Sequence, residues 1–342
     1  MMFCSRAPVR IDLAGGWTDV PPFADREGGA VVSFAINRYT YTTLRAHGHH
    51  NIRLRSSDYS IAVEADSVQQ LVYDGRLDLV KAALNRLEIT LGLELTTQAD
   101  VPPGSGLGTS AALGVALIGV LNQLQDERLA PHQVAALAAI LEVEELGIAG
   151  GKQDQLAAAL GGINFMEFSA QPPVTSPLTM SVGVLNELEK RLVLCYSGTS
   201  RLSGDIIQRV QRAYVNGEPA TCNALRTMRH LAYRAKNALL SGMLDELGAV
   251  LRENWACQRA LHPSVTNSEV EHLFAVAEQH GALGGKACGA GGGGCLVFLC
   301  TSDTVRNVRR ELMAAGGTII DFNIDRYGLQ TWHVDETTGR VG

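Results

Sequence analysis

The chain has 342 residues, 46% of them hydrophobic and 19% charged, with a formal net charge of −6. At about 100–200 residues per domain, that length predicts two domains, and the apolar share excludes a disordered chain. The acidic balance supplies no basic field, so no nucleic-acid partner is expected.

The first segment, MMFCSRAPVRIDLAGG, carries Arg6, Arg10 and Asp12, which interrupt any signal-peptide apolar core. A strand is expected to end at the paired glycines 15 and 16. Trp17 then offers a flat apolar surface, while Thr18 and Asp19 offer a hydroxyl and a carboxylate. That mixture suits a polyhydroxylated ligand, and equally a capped turn. Residues 29–45 are rich in β-branched and aromatic types and read as long strands. His47, His49 and His50 sit in a polar turn, read as a solvated loop rather than a metal site.

Leu77, Val80, Leu84 and Leu87 fall at helical spacing and predict a helix over 77–89. Next comes LELTTQADVPPGSGLGTSAALGVALIGVLNQL, a strand, a Pro-Gly break, a glycine-rich turn and an apolar helix opening at about Thr109. The apolar run from Ala111 to Leu121 falls short of the ~20 residues that a membrane span needs, so no membrane partner is expected. A second helix is expected from about His132 to near Gly147, and a third from near Lys152 to before Gly161.

Residues 168–185 shift to Ser, Pro, Thr and Met, a plausible crossing between domains 1–170 and 171–342. Beyond it lie an expected strand, Arg191–Tyr196, and helical faces marked by Leu225, Met228, Leu231 and Ala235, then by Leu244, Leu247 and Leu251. The tail predicts two strands, Cys295–Cys300 and Thr318–Ile324, with a helix between them. Two α+β halves result. The seven cysteines contain no CxxC pair and read as buried, reduced thiols, which agrees with a cytoplasmic location.

Chemistry concentrates in glycine-rich segments. In Pro103-Gly104-Ser105-Gly106-Leu107-Gly108-Thr109-Ser110 the alternating glycines leave backbone N–H groups uncovered, and the helix that follows adds its positive end. Together they suit a phosphate chain. No Lys follows the last glycine, which excludes a Walker A loop, and Thr109 stands where the dinucleotide fingerprint needs a third glycine. The run at 284–294 matches that fingerprint at Gly289, Gly291 and Gly294, but the strand-like CLVFLC follows where a helix is required. A backbone approaching a ligand closely is the better reading there, with Lys286 as a possible phosphate neighbour. In GIAGGKQDQ, preceded by Glu142, Glu144 and Glu145, Asp154 is either a base or a first-turn acid favoured by the helix dipole.

PVRIDLAGGWTD, PPGSGLGTSAA and KACGAGGGG, in this order, resemble the three motifs of the GHMP small-molecule kinases. GGWTDVPPF, GIAGGKQDQ, the NW of ENWACQRALHP and GALGGKACGAGGGG look most like the branch that phosphorylates sugars at the anomeric hydroxyl. The resemblance implies an α+β, two-domain fold with the active site in the inter-domain cleft. It implies ATP and Mg²⁺ as cofactors and a sugar or sugar phosphate as partner: a heptose 7-phosphate first, a fucose-type 6-deoxyhexose as the alternative.

By the same resemblance, Asp154 is the general base and Arg10 its accompanying cation, while Ser110 and Glu142 are Mg²⁺ ligands. Asp12, Gly16, Trp17, Thr18 and Asp19 meet the sugar, with Asp19 as hydroxyl acceptor. Residues 103–110 hold the nucleotide, and Lys286, Gly289, Gly291 and Gly292 form the third motif. Galactokinases carry Glu-His where this chain has Gly16-Trp17, so galactose is not expected. Arg26, Arg38, Lys152 and Arg201 are candidates for a sugar phosphate, with solvated surface as the expected place of most of them. A sugar sensor without turnover and a decarboxylase on the same fold are the rival readings. The presence of Asp154, Arg10, Ser110 and Glu142 argues against the sensor, and the sugar-type first motif against the decarboxylase.

Overall fold

The structure is a computed structural model and describes residues 1–169, 172–199 and 203–342. Among these, eight strands form the larger sheet. They are β1 (Met2–Ala14), β2 (Ala30–His47), β3 (Ile52–Ser56), β4 (Ile61–Ala65), β5 (Gly92–Ala99), β6 (Ile163–Glu167), β7 (Val174–Pro177) and a late strand, β12 (Gln330–Val334). Their order is β12-β1-β2-β5-β3-β4, with β6 also paired to β2 and β7 to β6. The smaller sheet is antiparallel, in the order β11 (Thr318–Ile320), β8 (Leu192–Tyr196), β10 (Cys295–Cys300) and β9 (Ala282–Ala287).

The helices are α1 (Phe23–Glu27), α2 (Asp78–Arg86), α3 (Thr109–Asn122), α4 (Pro131–Ile140), α5 (Gln153–Leu160), α6 (Val182–Arg191), α7 (Ser203–Val215), α8 (Pro219–Leu240), α9 (Leu244–Leu261), α10 (Ser268–Gln279) and α11 (Val305–Ala314). Helix α3 carries no charged residue and is buried all round from Gly114 to Leu121, as a helix apolar on every face must be. It lies on β1 and β2, and Ser5 of β1 donates to its Ala116 carbonyl at 2.6 Å. The start of α3 is therefore fixed by the sheet beneath it. In the smaller sheet all six residues of β10 are buried, because the strand is central and α9 covers it.

Several expected elements run differently. The helix expected up to Gly147 is regular only to Ile140 and then widens into a π turn over Leu141–Glu145, which buries Glu142 and leaves Glu144 exposed. The strand expected over Thr318–Ile324 stops at Ile320. Residues beyond it turn away to bond β2: Asn37 donates to the Asn323 carbonyl and Asp325 to the Ala35 carbonyl, each at 2.9 Å. The chain then re-enters the larger sheet as β12 beside β1. Both β7 and β12 thus lie in the larger sheet although they follow the expected division at 170 and 171. All seven cysteines are free thiols, five buried, with Cys222 and Cys257 half-buried.

Candidate active site

One cavity gathers most of the motif residues. Arg10, Asp12, Trp17 and Asp19 enter from β1 and the turn after it. Gly104, Gly106, Gly108, Thr109 and Ser110 form one wall, Glu142 and residues 148–155 another, and Ile207, Cys288 and Gly289 close it from the second lobe.

Arg10 ties three of these segments together. Its Nε and Nη2 donate to Asp154 Oδ1 and Oδ2 at 2.7 and 2.9 Å, and Nη1 donates to the Gly106 carbonyl at 2.7 Å. A planar fork on a carboxylate fixes orientation as well as distance. Burial works against the guanidinium's charge, but Asp154 and Asp12 outweigh it and raise its pKa above the ordinary arginine value. Asp154 opens α5 and lies against the phosphate loop, for a Cβ on Gly108 would come within 2.9 Å of its Oδ2.

Glycines 104, 106 and 108 all take φ near +75°, at 72°, 76° and 73°, a conformation that side chains resist. Gly108 caps α3 and offers no side chain to its first-turn N–H groups, which leaves them for an anionic ligand. Ser105 and Leu107 face inward. The Ser105 carbonyl accepts from Cys295 at 2.7 Å, and Leu107 is core, its carbonyl accepting from Arg10 N–H at 3.0 Å. Pro103 does not line the cavity.

At the start of α3, Ser110 donates to Glu142 Oε1 at 2.5 Å, and Gln155 Nε2 donates to Oε2 at the same distance. Burial pushes the Glu142 carboxyl above its ordinary range, while the two donors pull it back. Two hard oxygens thus face the cavity on one wall, aimed by Gln155.

The other end holds Asp12, Trp17, Asp19 and Gln153. Asp19 accepts from Gln153 N at 3.2 Å and from its Nε2 at 3.1 Å. Burial and the charges of Asp154 and Asp12 push its carboxyl up to about 7, against the pull of the Gln153 N–H. Trp17 has φ +79°, a strained conformation for a bulky residue and one that clusters at functional sites. Asp12 Oδ1, Trp17 Nε1 and Gln153 Oε1 are buried without a hydrogen-bond partner among the described residues. Gly16 and Gly151 contribute space, since a Cβ on either would overlap the carboxylates of Asp12 and Asp19 respectively. Thr18 stands apart: its hydroxyl lies 2.7 Å from the Gly15 carbonyl and accepts from Ala30 N–H at 3.0 Å, inside the turn and away from the cavity.

The third motif packs backbone against backbone. A Cβ on Gly289 would come within 2.8 Å of Gly106 Cα, so glycine is required where the two loops meet. Gly291 and Gly292 pack on the Val265 carbonyl, outside the cavity lining. Lys286, expected near phosphate, is instead fully buried and paired with Asp12. Arg26, Arg38 and Lys152 do not line the cavity, and Arg201 lies outside the described residues.

Four contributors had no assigned role: Gln153, Gln155, Asn254 and Cys288. Asn254 of α9 accepts from Gly15 N–H at 3.1 Å and so holds the first motif's turn from the second lobe. The segments GGKQDQ and ENWACQ contain the signal, amides flanking an acid and an Asn-Trp pair, but spacing alone assigns them no partner.

The chain belongs to the GHMP kinases, with their two-domain α+β fold. Residues 78–162 match the GHMP kinases N terminal domain and residues 235–318 the GHMP kinases C terminal. The chain is 32% identical to the D-glycero-alpha-D-manno-heptose 7-phosphate kinase of Campylobacter jejuni, over 96% of this chain and 98% of that protein. It is 29% identical to the bifunctional fucokinase/GDP-fucose pyrophosphorylase of Arabidopsis thaliana, over 89% of this chain but 30% of that longer one. Among solved structures it superposes with a TM-score of 0.82 on a D-glycero-D-manno-heptose 1-phosphate kinase from Bacteriodes thetaiotaomicron, 29% identical, covering 98% of this chain and all of that one. This is an ATP-dependent kinase of the family, related to heptose phosphate kinases and to a fucokinase.

Proposed function

We propose that this kinase transfers the γ-phosphoryl group of ATP to the anomeric hydroxyl of D-glycero-D-manno-heptose 7-phosphate. The observation that carries the reading is the bidentate Arg10–Asp154 pair beside an uncapped glycine loop, next to buried polar atoms that lack partners. A sugar's hydroxyls both donate and accept, which matches two orphan acceptors and one orphan indole donor. The 32% identical relative named as a heptose 7-phosphate kinase supports the sugar.

Phosphoryl transfer asks the protein for alignment and charge neutralisation rather than covalent work. The N–H groups of 104–110 hold the β- and γ-phosphates. Asp154 takes the proton of the anomeric hydroxyl, the new O–P bond forms at carbon 1, and the bond from the γ-phosphorus to the bridging oxygen breaks to release ADP. An anomeric hydroxyl is more acidic than an ordinary alcohol, so a carboxylate suffices as base. Arg10 orients that carboxylate and offsets charge on the transferring group. Ser110 and Glu142 are oxygen donors of the kind Mg²⁺ takes, an ion that keeps waters and substrate phosphates as further ligands. An Mg²⁺ ion held by Ser110 and Glu142 would supply positive charge against the phosphates.

ADP release over a panel of sugars tests the reading, with the product's phosphate located by NMR and by loss of reducing-end reactivity. Heptose 7-phosphate is expected to be best, and free heptose to show a KM about tenfold or more higher, the worth of a charge-assisted contact. Equal use of both removes the sugar-phosphate part, and phosphate at any other hydroxyl removes the anomeric assignment. A fucose-type 6-deoxyhexose is the second reading, favoured by Trp17 and the fucokinase likeness. Sugar binding without ADP release marks a sensor instead.

A further inference from the structure

Lys286 stands on β9 in the second lobe, opposite Val297 of β10, and is fully buried. Its ammonium reaches across to β1, donating to Asp12 Oδ2 at 2.5 Å and to the Asp12 main-chain carbonyl at 3.1 Å. Two bonds to one residue fix both that residue's backbone and the plane of its carboxylate. The remaining oxygen, Oδ1, is buried, has no hydrogen-bond partner among the described residues, and belongs to a residue lining the cavity. Gly16 leaves the room that this carboxylate occupies. Cys288, two residues beyond Lys286, lines the cavity as well.

We infer that Lys286 is a positioning residue for the sugar end of the site: from the second lobe it holds Asp12 so that Oδ1 accepts a hydroxyl of the bound sugar. The inference rests on the sugar-kinase reading above. A carboxylate taken out of water needs its counter-charge, and a buried acceptor left unanswered is costly until a donor arrives. Lys286 meets the first need at Oδ2 and leaves the second at Oδ1 for the ligand. A lysine serving only to clamp the lobes would have no stake in the sugar, and the two roles separate experimentally.

The test is a double-mutant cycle of Asp12→Asn, Lys286→Met and both together, with heptose 7-phosphate and L-fucose as calorimetric probes. KM for ATP and the unfolding midpoint are measured alongside. Each single variant is expected to weaken sugar binding about tenfold or more, the worth of a hydrogen bond to a charged group, with KM for ATP within about twofold of wild type. Lys286→Met also loses stability, because it strands the Asp12 carboxylate. The double variant is expected to regain the unfolding midpoint while its sugar affinity stays low, a non-additive outcome for two residues acting as one unit. Recovery of both quantities in the double variant overturns the inference, as does an ATP defect as large as the sugar defect. Should Lys286→Met fail to fold, Asp12→Asn and the double variant still decide. A wild type that binds neither probe removes the sugar reading and the inference with it, whereas variants that bind like a competent wild type remove the Lys286 role alone.

Discussion

The two ends of the cavity are built on opposite terms. At the phosphate end the charged groups are answered within the protein, Arg10 by Asp154 and Gly106 and Glu142 by Ser110 and Gln155, although the neutral Gln155 Oε1 has no partner among the described residues. At the sugar end, Asp12, Trp17 and Gln153 each keep a buried polar atom unanswered. Satisfied groups fix a geometry before any ligand arrives, which is what stabilising a transition state requires. Unsatisfied ones penalise any ligand that cannot complete them, so under the proposed function discrimination among sugars resides there. The phosphate end is therefore sensitive in rate, and the sugar end in affinity and pH.

The sharpest way to break this contrast is at Asp154. Asp154→Asn keeps the shape but removes the carboxylate proposed as proton acceptor, and kcat is expected to fall by about 10²–10⁴ with nucleotide affinity little changed. Near-normal turnover would show that no protein base is needed. A smaller effect is expected one step away. Glu142→Gln and Ser110→Ala should both raise the Mg²⁺ concentration for half-maximal activity, and Gln155→Leu, which only aims Glu142, should do so by about tenfold. If Glu142→Gln titrates with Mg²⁺ as wild type does, the ligand assignment passes to a neighbouring acid.

How much of this was legible follows the same division. Glycines at 104, 106 and 108 announced their positive φ angles directly, because few other residues tolerate them. The Arg10–Asp154 pair spans 144 residues and came from family likeness, not spacing. The glycine neighbours of Lys286 suggest a phosphate contact, but its ammonium donates to Asp12 of β1, a tertiary fact that no local pattern contains. Gln155 has the look of a surface amide until α4 and α5 pack together. The π turn at 141–145 is not visible in the sequence, because LEVEE has ordinary helical composition. By contrast the β3 alternation, Ile52 and Leu54 inward with Arg53 and Arg55 outward, is legible at period two.

The pH dependence sharpens the sugar end. Asp19 titrates at about 7 in the ligand-free protein, raised by burial and by Asp154 and Asp12. If its anion accepts the sugar hydroxyl, kcat/KM for the sugar rises with pH through that value and falls about tenfold per unit below it. Asp19→Asn should abolish this limb and leave KM for ATP unchanged. Stability carries the opposite sign. Between an unfolded carboxyl at about 3.9 and the folded value near 7, the native state keeps a proton that the unfolded state has lost. Stability from this group is thus present at low pH and declines as pH rises through that window. The stabilisation gained by Asp19→Asn should therefore be larger at pH 8 than at pH 5 in denaturant titrations, and an equal gain at both would place the titration elsewhere.

The smallest expected effect on activity separates Thr18 from its neighbours. Likeness to the family puts this residue with the sugar, yet its hydroxyl faces the Gly15 carbonyl and the Ala30 N–H inside the turn. Thr18→Val keeps the shape and removes the hydroxyl, so the buried Ala30 N–H loses this acceptor while the Gly15 carbonyl keeps the Thr18 N–H, at a cost of about 1–3 kcal/mol. The denaturation midpoint should drop accordingly. Sugar KM should stay within about twofold of wild type, because Trp17 and Asp19 on either side remain braced by the Thr18 N–H to Gly15 and Val20 N–H to Trp17 bonds. A tenfold rise in sugar KM at unchanged stability would put the Thr18 hydroxyl on the ligand and move the boundary between the braced turn and the waiting site by one residue.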